Sequence, residues 1–251
     1  MDYHWEPITP LTEQDKSVDL TDVDSLTAAW LDVRAKLAES SAANLTVFNE
    51  RLARQWSIET GILEKIYHLD RGNTLVLIEK GFVEDLVERS STNRDPAELI
   101  EILRDHKAAI DLVQDCVANS RPLTVGLINN LHAILTRHQE TVEGLDQFDH
   151  LVSFPLKHGA FKDPPNNPKR PDGSIHEYCP PIHVQSEMDN LMLWYSEYTE
   201  GNPILLAAWL HHRFAQIHPY QDGNGRVASY FPVQKAKCRL TATERGLRSI
   251  D

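Results

Sequence analysis

Residues 203–226 read Pro203-Ile204-Leu205-Leu206-Ala207-Ala208-Trp209-Leu210-His211-His212-Arg213-Phe214-Ala215-Gln216-Ile217-His218-Pro219-Tyr220-Gln221-Asp222-Gly223-Asn224-Gly225-Arg226. Up to Ile217 nothing interrupts a helix after its opening proline, which suits a first turn. Leu205 to Leu210 is apolar on every side, as a central buried helix should be. His218-Pro219 then stops the helix. Two glycines flanking Asn224 permit positive φ and close backbone approach, so successive amides can converge on a concavity that takes anions. A helix starting near Gly225 strengthens that site, and Arg226 adds a guanidinium fork for phosphate oxygens. Asp222 offers a hard oxygen ligand of the kind that holds the Mg²⁺ of a nucleotide polyphosphate. His218, titrating near neutrality, can take a proton from a hydroxyl nucleophile.

Upstream, apolar residues recur at spacings of three and four. Val23, Leu26, Trp30, Val33 and Leu37 predict one buried helical stripe behind a Thr21 cap, and Leu45, Phe48, Leu52 and Trp56 predict a second. Asp70 to Asn73 supplies a break. Asp95-Pro96-Ala97-Glu98 is a helix start, followed by Leu99, Leu103, His106, Ile110, Val113 and Val117 on one face. A shorter helix is expected from Thr124 to about His138. Residues 158–181 are rich in proline and contain the turn Pro171-Asp172-Gly173, which suits a long loop carrying a short hairpin. Val184, Met188, Leu191 and Trp194 resume the helical pattern. The sum is an all-α fold with one small β element.

The chain has 251 residues, 37 acidic against 25 basic, for a net charge of −12, with 41% hydrophobic residues. That excludes collagenous and low-complexity classes and is enough for one large core or two smaller ones. An acidic surface repels nucleic-acid backbones, so nucleic acid is not an expected partner. No run of 18 apolar residues and no secretory leader are readable, so neither a membrane span nor export is expected. Three scattered cysteines form neither a disulfide framework nor a zinc ribbon, and a reducing, cytoplasmic setting follows as the default.

His218-Pro219-Tyr220-Gln221-Asp222-Gly223-Asn224-Gly225-Arg226 resembles the signature of the Fic (Fido) family, HxFx(D/E)GNGRxxR, with Tyr220 in the aromatic place. Leu206 to Phe214 resembles the family's central helix, and Cys179-Pro180-Pro181 the double proline after its flap hairpin. The resemblance covers roughly residues 123–231. It implies a helical bundle with a small β-hairpin flap and an N-terminal helical extension, divided into a region 1–122 and a Fic domain 123–251. Its implied activity is protein adenylyl transfer: AMP moves from ATP to a Ser, Thr or Tyr hydroxyl of a target protein, with Mg²⁺. By the same resemblance His218 would be the general base and Asp222 the metal ligand. The amides of Gly223 to Arg226 and the Asn224 side chain would form the anion hole, and Arg226 would hold the outer phosphates. Phe161, Lys162, Ile175 and Tyr178 would belong to the flap that docks the target as an added strand. Thr60 to Lys65 resembles the inhibitory motif (S/T)xxxE(G/N) on a helix at about 56–68, with Glu64 as the blocking carboxylate. A homodimer is left open.

The pattern departs in two places. The second arginine of GNGRxxR falls at position 229, where this chain has Ser229, which removes both a γ-phosphate ligand and the partner Glu64 would need. Pro232 sits where the helix should continue, and the segment from Lys235 on is basic and without an amphipathic stripe. Residues from about 229 onward therefore read as a shifted frame or a truncation, which sequencing the gene tests. The alternatives to an adenylyltransferase are a catalytically impaired nucleotide- or peptide-binding protein, and a variant that removes AMP or transfers another phosphate-containing group. A metal hydrolase built on His211, His212 and His218 lacks the paired His and Glu such sites need.

Overall fold

Residues 2–145, 150–198 and 202–231 are described by a computed structural model. The described residues divide into two units, one made of the chain up to Thr12 with the chain from Asp111 to Phe231, the other of Glu13–Ile110.

In the second unit, α1 (Glu13–Lys16), α2 (Thr21–Ser40), α3 (Ala42–Leu63), α4 (Arg71–Lys80) and the first part of α5 (Pro96–Ala118) follow in order. The cap signals act locally. Asp70 Oδ1 accepts from Asn73 N–H at 2.9 Å, so the expected break is the start of α4. Asp95 accepts from Ala97 N–H at 3.0 Å at the start of α5, while Glu98 pairs with Arg94 rather than reaching back to the cap. Ile58, Tyr67, Leu77, Leu99 and Leu103 form this unit's core. The expected α2 stripe is not buried: Leu26 is 73% and Val33 56% exposed, and no described α2 residue is buried. Thr21 does not cap it either; its own N–H and hydroxyl donate to Asp19. The stripe meets α3, where Trp30 lies 5.7 Å from Phe48, and that contact leaves its flanks in water.

The first unit holds α6 (Val125–Leu135), β1 (Thr141–Leu145), β2 (Leu151–Pro155), α7 (Pro181–Glu197), α8 (Pro203–Ile217) and α9 (Asn224–Ala228). α8 packs against α7 and α9, and α6 against both as well. Leu206, Leu210, Phe214 and Ile217 of α8 are at most 1% exposed. Ala208 is exposed, so α8 is buried on most of its surface rather than all round.

The two-stranded antiparallel sheet runs from Thr141↔Pro155 to Leu145↔Leu151, upstream of the loop expected to carry it. Within 158–178 there is one antiparallel bridge, Lys169↔Ile175, closed by the turn in which Asp172 accepts from Ser174. Pro164, Pro165, Pro168 and Pro171 have no N–H to give a ladder, which explains the difference. The other edge of this segment is taken by the N-terminus: Tyr3 N–H donates to Ile175 O at 3.0 Å and Glu177 N–H to Tyr3 O at 2.9 Å. Pro232 and the basic tail lie outside the described residues. Among the described residues no helix is long and apolar enough to cross a membrane.

Candidate active site

α8 ends because His218, ahead of Pro219, turns left-handed at φ 53, ψ 60, while its N–H still donates to Phe214 O at 2.9 Å. The imidazole lies flat on Tyr178, ring centroids 3.7 Å apart and 8° from parallel. Its Nδ1 is 3.4 Å from Ala215 O. A proton on Nδ1 satisfies that contact and leaves the Nε2 lone pair to accept. Burial, reinforced by the nearby Lys162 charge, lowers the His218 pKa to about 4, so the ring is neutral at physiological pH and not poised at neutrality.

The loop after His218 is fixed from within. Asn224, 3% exposed, accepts from Tyr220 N–H at 2.9 Å and donates to Tyr220 O at 2.8 Å. Its amide thus staples the loop instead of facing an anion. The Tyr220 ring is fully buried, stacks on His132 at 3.8 Å and satisfies its hydroxyl on Asn129 at 2.6 Å. His132 accepts from Gly159 N–H at 2.8 Å on Nδ1 and donates from Nε2 to Asp222 O at 3.0 Å, an arrangement that requires the neutral ring. Burial lowers its pKa to about 4 accordingly. Gly223 needs its φ of +80°, and a Cβ there would sit 2.9 Å from Thr136 Cγ2.

Asp222 Oδ1 accepts from Gly223 N–H at 2.7 Å, and Oδ2 accepts from Gln139 Nε2 at 2.6 Å and Arg226 Nη2 at 3.2 Å. Burial pushes its carboxyl up, but the Arg226 guanidinium with the Gln139 and Gly223 donors outweighs that and holds it below the usual carboxylate range. Arg226 is 6% exposed and also donates to Leu135 O at 3.1 Å and Gln139 Oε1 at 2.5 Å. The α9 ladder begins with Val227 N–H donating to Gly223 O at 3.1 Å, so the opening amides point out of the helix end. Ser229 caps the other end, its hydroxyl donating to Gly225 O at 2.9 Å.

His218, Asp222 and Tyr178 share a cavity of about 530 Å³ with Val142, Glu143 and Asn166. Of the four residues expected in a flap, Tyr178 lines this cavity and Ile175, 44% exposed, lies on the bridged turn. Phe161 tilts against Tyr220 at 5.7 Å. Lys162 is buried, with Nζ donating to Asn166 Oδ1 at 2.7 Å and lying 5.7 Å from the Tyr178 ring centre; burial lowers its pKa to about 8. Glu64 is exposed in the other unit, as the C-cap one residue past α3, and Lys65 after it is left-handed at φ 57.

Sequence reading missed His132, Thr136 and Gln139, which hold the motif from α6 and the turn after it. Their spacing of four and three sets them in one polar line along the end of α6 and the turn after it, and that was the available signal. His211, with Nδ1 3.1 Å from Ala228 O, ties α8 to α9.

Residues 122–232 match the Fic/DOC family. A Fido domain-containing protein of Dictyostelium discoideum is 40% identical over 53 residues, 20% of this chain and 37% of that protein, so the match spans little more than a third of the relative's length. A Fic domain containing signaling protein from Bacteroides thetaiotaomicron superposes with a TM-score of 0.61 at 24% identity, over 82% of this chain and 70% of that one. A Fic family protein from Desulfovibrio desulfuricans gives 0.56 at 21% identity, over 93% and 60%. At those identities the structures speak to the fold alone, and that fold agrees with the match of residues 122–232 to the Fic/DOC family.

Proposed function

We propose that this chain is a protein adenylyltransferase that moves AMP from ATP to a Ser, Thr or Tyr hydroxyl of a target protein. Fic domain proteins generally transfer AMP or similar groups onto proteins, and the supporting observation is that His218 and Asp222 line one cavity in complementary states. His218 is neutral, and Asp222 is held ionised. The target hydroxyl oxygen attacks the α phosphorus of ATP while its proton passes to His218 Nε2. The bond from that phosphorus to the α,β-bridging oxygen breaks, and pyrophosphate leaves with the electron pair. The outward-pointing amides at the start of α9 stabilise charge on the α phosphate, and the Tyr178 face holds the imidazole in line. Asp222 suits Mg²⁺: three of its roughly four lone-pair positions are used, and its side chain remains 44% exposed on the cavity. When bound, that ion neutralises phosphate charge.

A second reading is favoured by Ser229, whose hydroxyl turns back onto Gly225 O where the family signature carries a guanidinium. It is a nucleotide- or peptide-binding protein with impaired transfer. Incubation with α-labelled ATP, Mg²⁺ and lysate separates the two. The first reading expects protein labelling that falls by about 10²- to 10⁴-fold in His218→Ala, the usual contribution of a general base. Absence of label from a folded chain that still binds nucleotide establishes the second.

A further inference from the structure

We propose that Gln139 is a positioning residue that sets Asp222 and Arg226 relative to each other, an inference that rests on the reading of those two groups as metal and phosphate ligands. Gln139 lies just beyond α6, with its backbone N–H donating to Thr136 O at 2.9 Å. Its amide nitrogen donates to Asp222 Oδ2 at 2.6 Å and its amide oxygen accepts from Arg226 Nη2 at 2.5 Å. The nitrogen also lies 3.3 Å from Thr141 O at the start of β1.

The chemistry of this position is restrictive. Its neighbours are an anion that only accepts and a cation that only donates, so the residue between them must donate on one side and accept on the other. A neutral carboxamide does both, whereas a carboxylate repels Asp222 and an ammonium repels Arg226. Direct pairing of Asp222 with Arg226 is the longer contact, at 3.2 Å. Without Gln139 the two would be drawn onto each other, turning the carboxylate from the cavity. With it, Asp222 keeps an acceptor position for a cation and Arg226 stays against Leu135 O.

The test is an exchange of partners in the full chain. Gln139→Glu preserves the arm to Arg226 and sets two carboxylates against each other. Adding Asp222→Asn restores a donor–acceptor pair between 139 and 222 with the roles swapped, giving up only the longer 3.2 Å contact of Arg226 with Oδ2. Urea unfolding is expected to show an equilibrium constant about tenfold less favourable for Gln139→Glu, returning to within about threefold of the parent in the double variant. A double variant no more stable than Gln139→Glu overturns the bridge. Gln139→Met, which removes both arms, is expected to raise the KM for Mg²⁺-ATP about tenfold while changing kcat less than about threefold. An unchanged KM overturns the positioning role. Should the parent neither transfer AMP nor bind Mg²⁺-ATP, the adenylyltransferase reading falls, and the same unfolding comparison still decides the bridge.

Discussion

The α2–α3 pair and the loop between α8 and α9 use their sequences in opposite ways. α2 carries an apolar stripe at helical spacing, yet Leu26 is 73% exposed and none of its described residues is buried. The loop is polar and glycine-rich, the composition usually met at a surface, yet Tyr220 in it and Asn224 and Arg226 in the first turn of α9 are 0%, 3% and 6% exposed. Periodicity says which face of an element is apolar; it does not say how many neighbours will cover that face. Burial of the loop depends on partners for each polar atom, and Asn129, His132 and Gln139 provide them.

Core truncation measures this contrast directly. Phe214 is fully buried in α8, 5.0 Å edge-on to Phe231 and 6.2 Å from Tyr220. Phe214→Ala should cost about 3–5 kcal/mol, including the cavity left behind. Leu26→Ala should stay within about 0.5 kcal/mol, as exposed substitutions do. Urea unfolding of the two variants checks both, and a loss at Leu26 comparable to that at Phe214 would mean that the α2 stripe is covered in solution.

The same contrast explains what could be read in advance. The motif residues His218 to Arg226 are contiguous, and local chemistry requires them at fixed spacing, so the turn and the family resemblance were both legible. The longer helices were legible from periodicity and, at α5, from the Asp95 cap, whereas α4 was read only as the break that opens it. Gln139 and His132 were not singled out, because they stand 83 to 90 residues from their partners in the motif and a lone polar residue has many ordinary explanations. The hairpin was misplaced for a related reason: a proline-rich turn signal is strong, but prolines cannot supply the ladder, and the unmarked Thr141–Leu145 and Leu151–Pro155 supply it instead.

Acid should weaken the motif region before it touches the exposed helices. His132 and His218 both have folded pKa values of about 4, below the ordinary value of 6.5. Between those values the unfolded chain binds protons that the folded chain refuses. Their contribution to stability is therefore intact above about pH 6.5 and is lost as pH falls toward 4. The thermal midpoint should drop across that window, and His218→Asn should make the slope shallower. Labelling by the parent should persist below pH 6, because the His218 ring remains neutral there; an acid limb centred near 6.5 would place the ring in water. Lys162→Met should shift the acid limb upward, since the Lys162 charge is the second cause of the depressed His218 pKa.

The smallest effect is expected at Glu64, in the unit with the exposed helices. The inhibitory motif that Thr60 to Lys65 resembles places glycine or asparagine after the glutamate, the two residues that most readily turn left-handed at a helix end. Lys65 has a left-handed φ of 57° despite its Cβ. The guanidinium such a glutamate would answer to is missing at position 229, where Ser229 is engaged with its own helix. Glu64→Gly alone should therefore change labelling by less than about twofold, because the arginine of the inhibitory pattern is replaced by Ser229 in this chain. In a Ser229→Arg background the same substitution should raise labelling several-fold more than it does alone. A tenfold rise from Glu64→Gly in the parent would show that restraint operates through another group, and equal effects in both backgrounds would uncouple Glu64 from position 229.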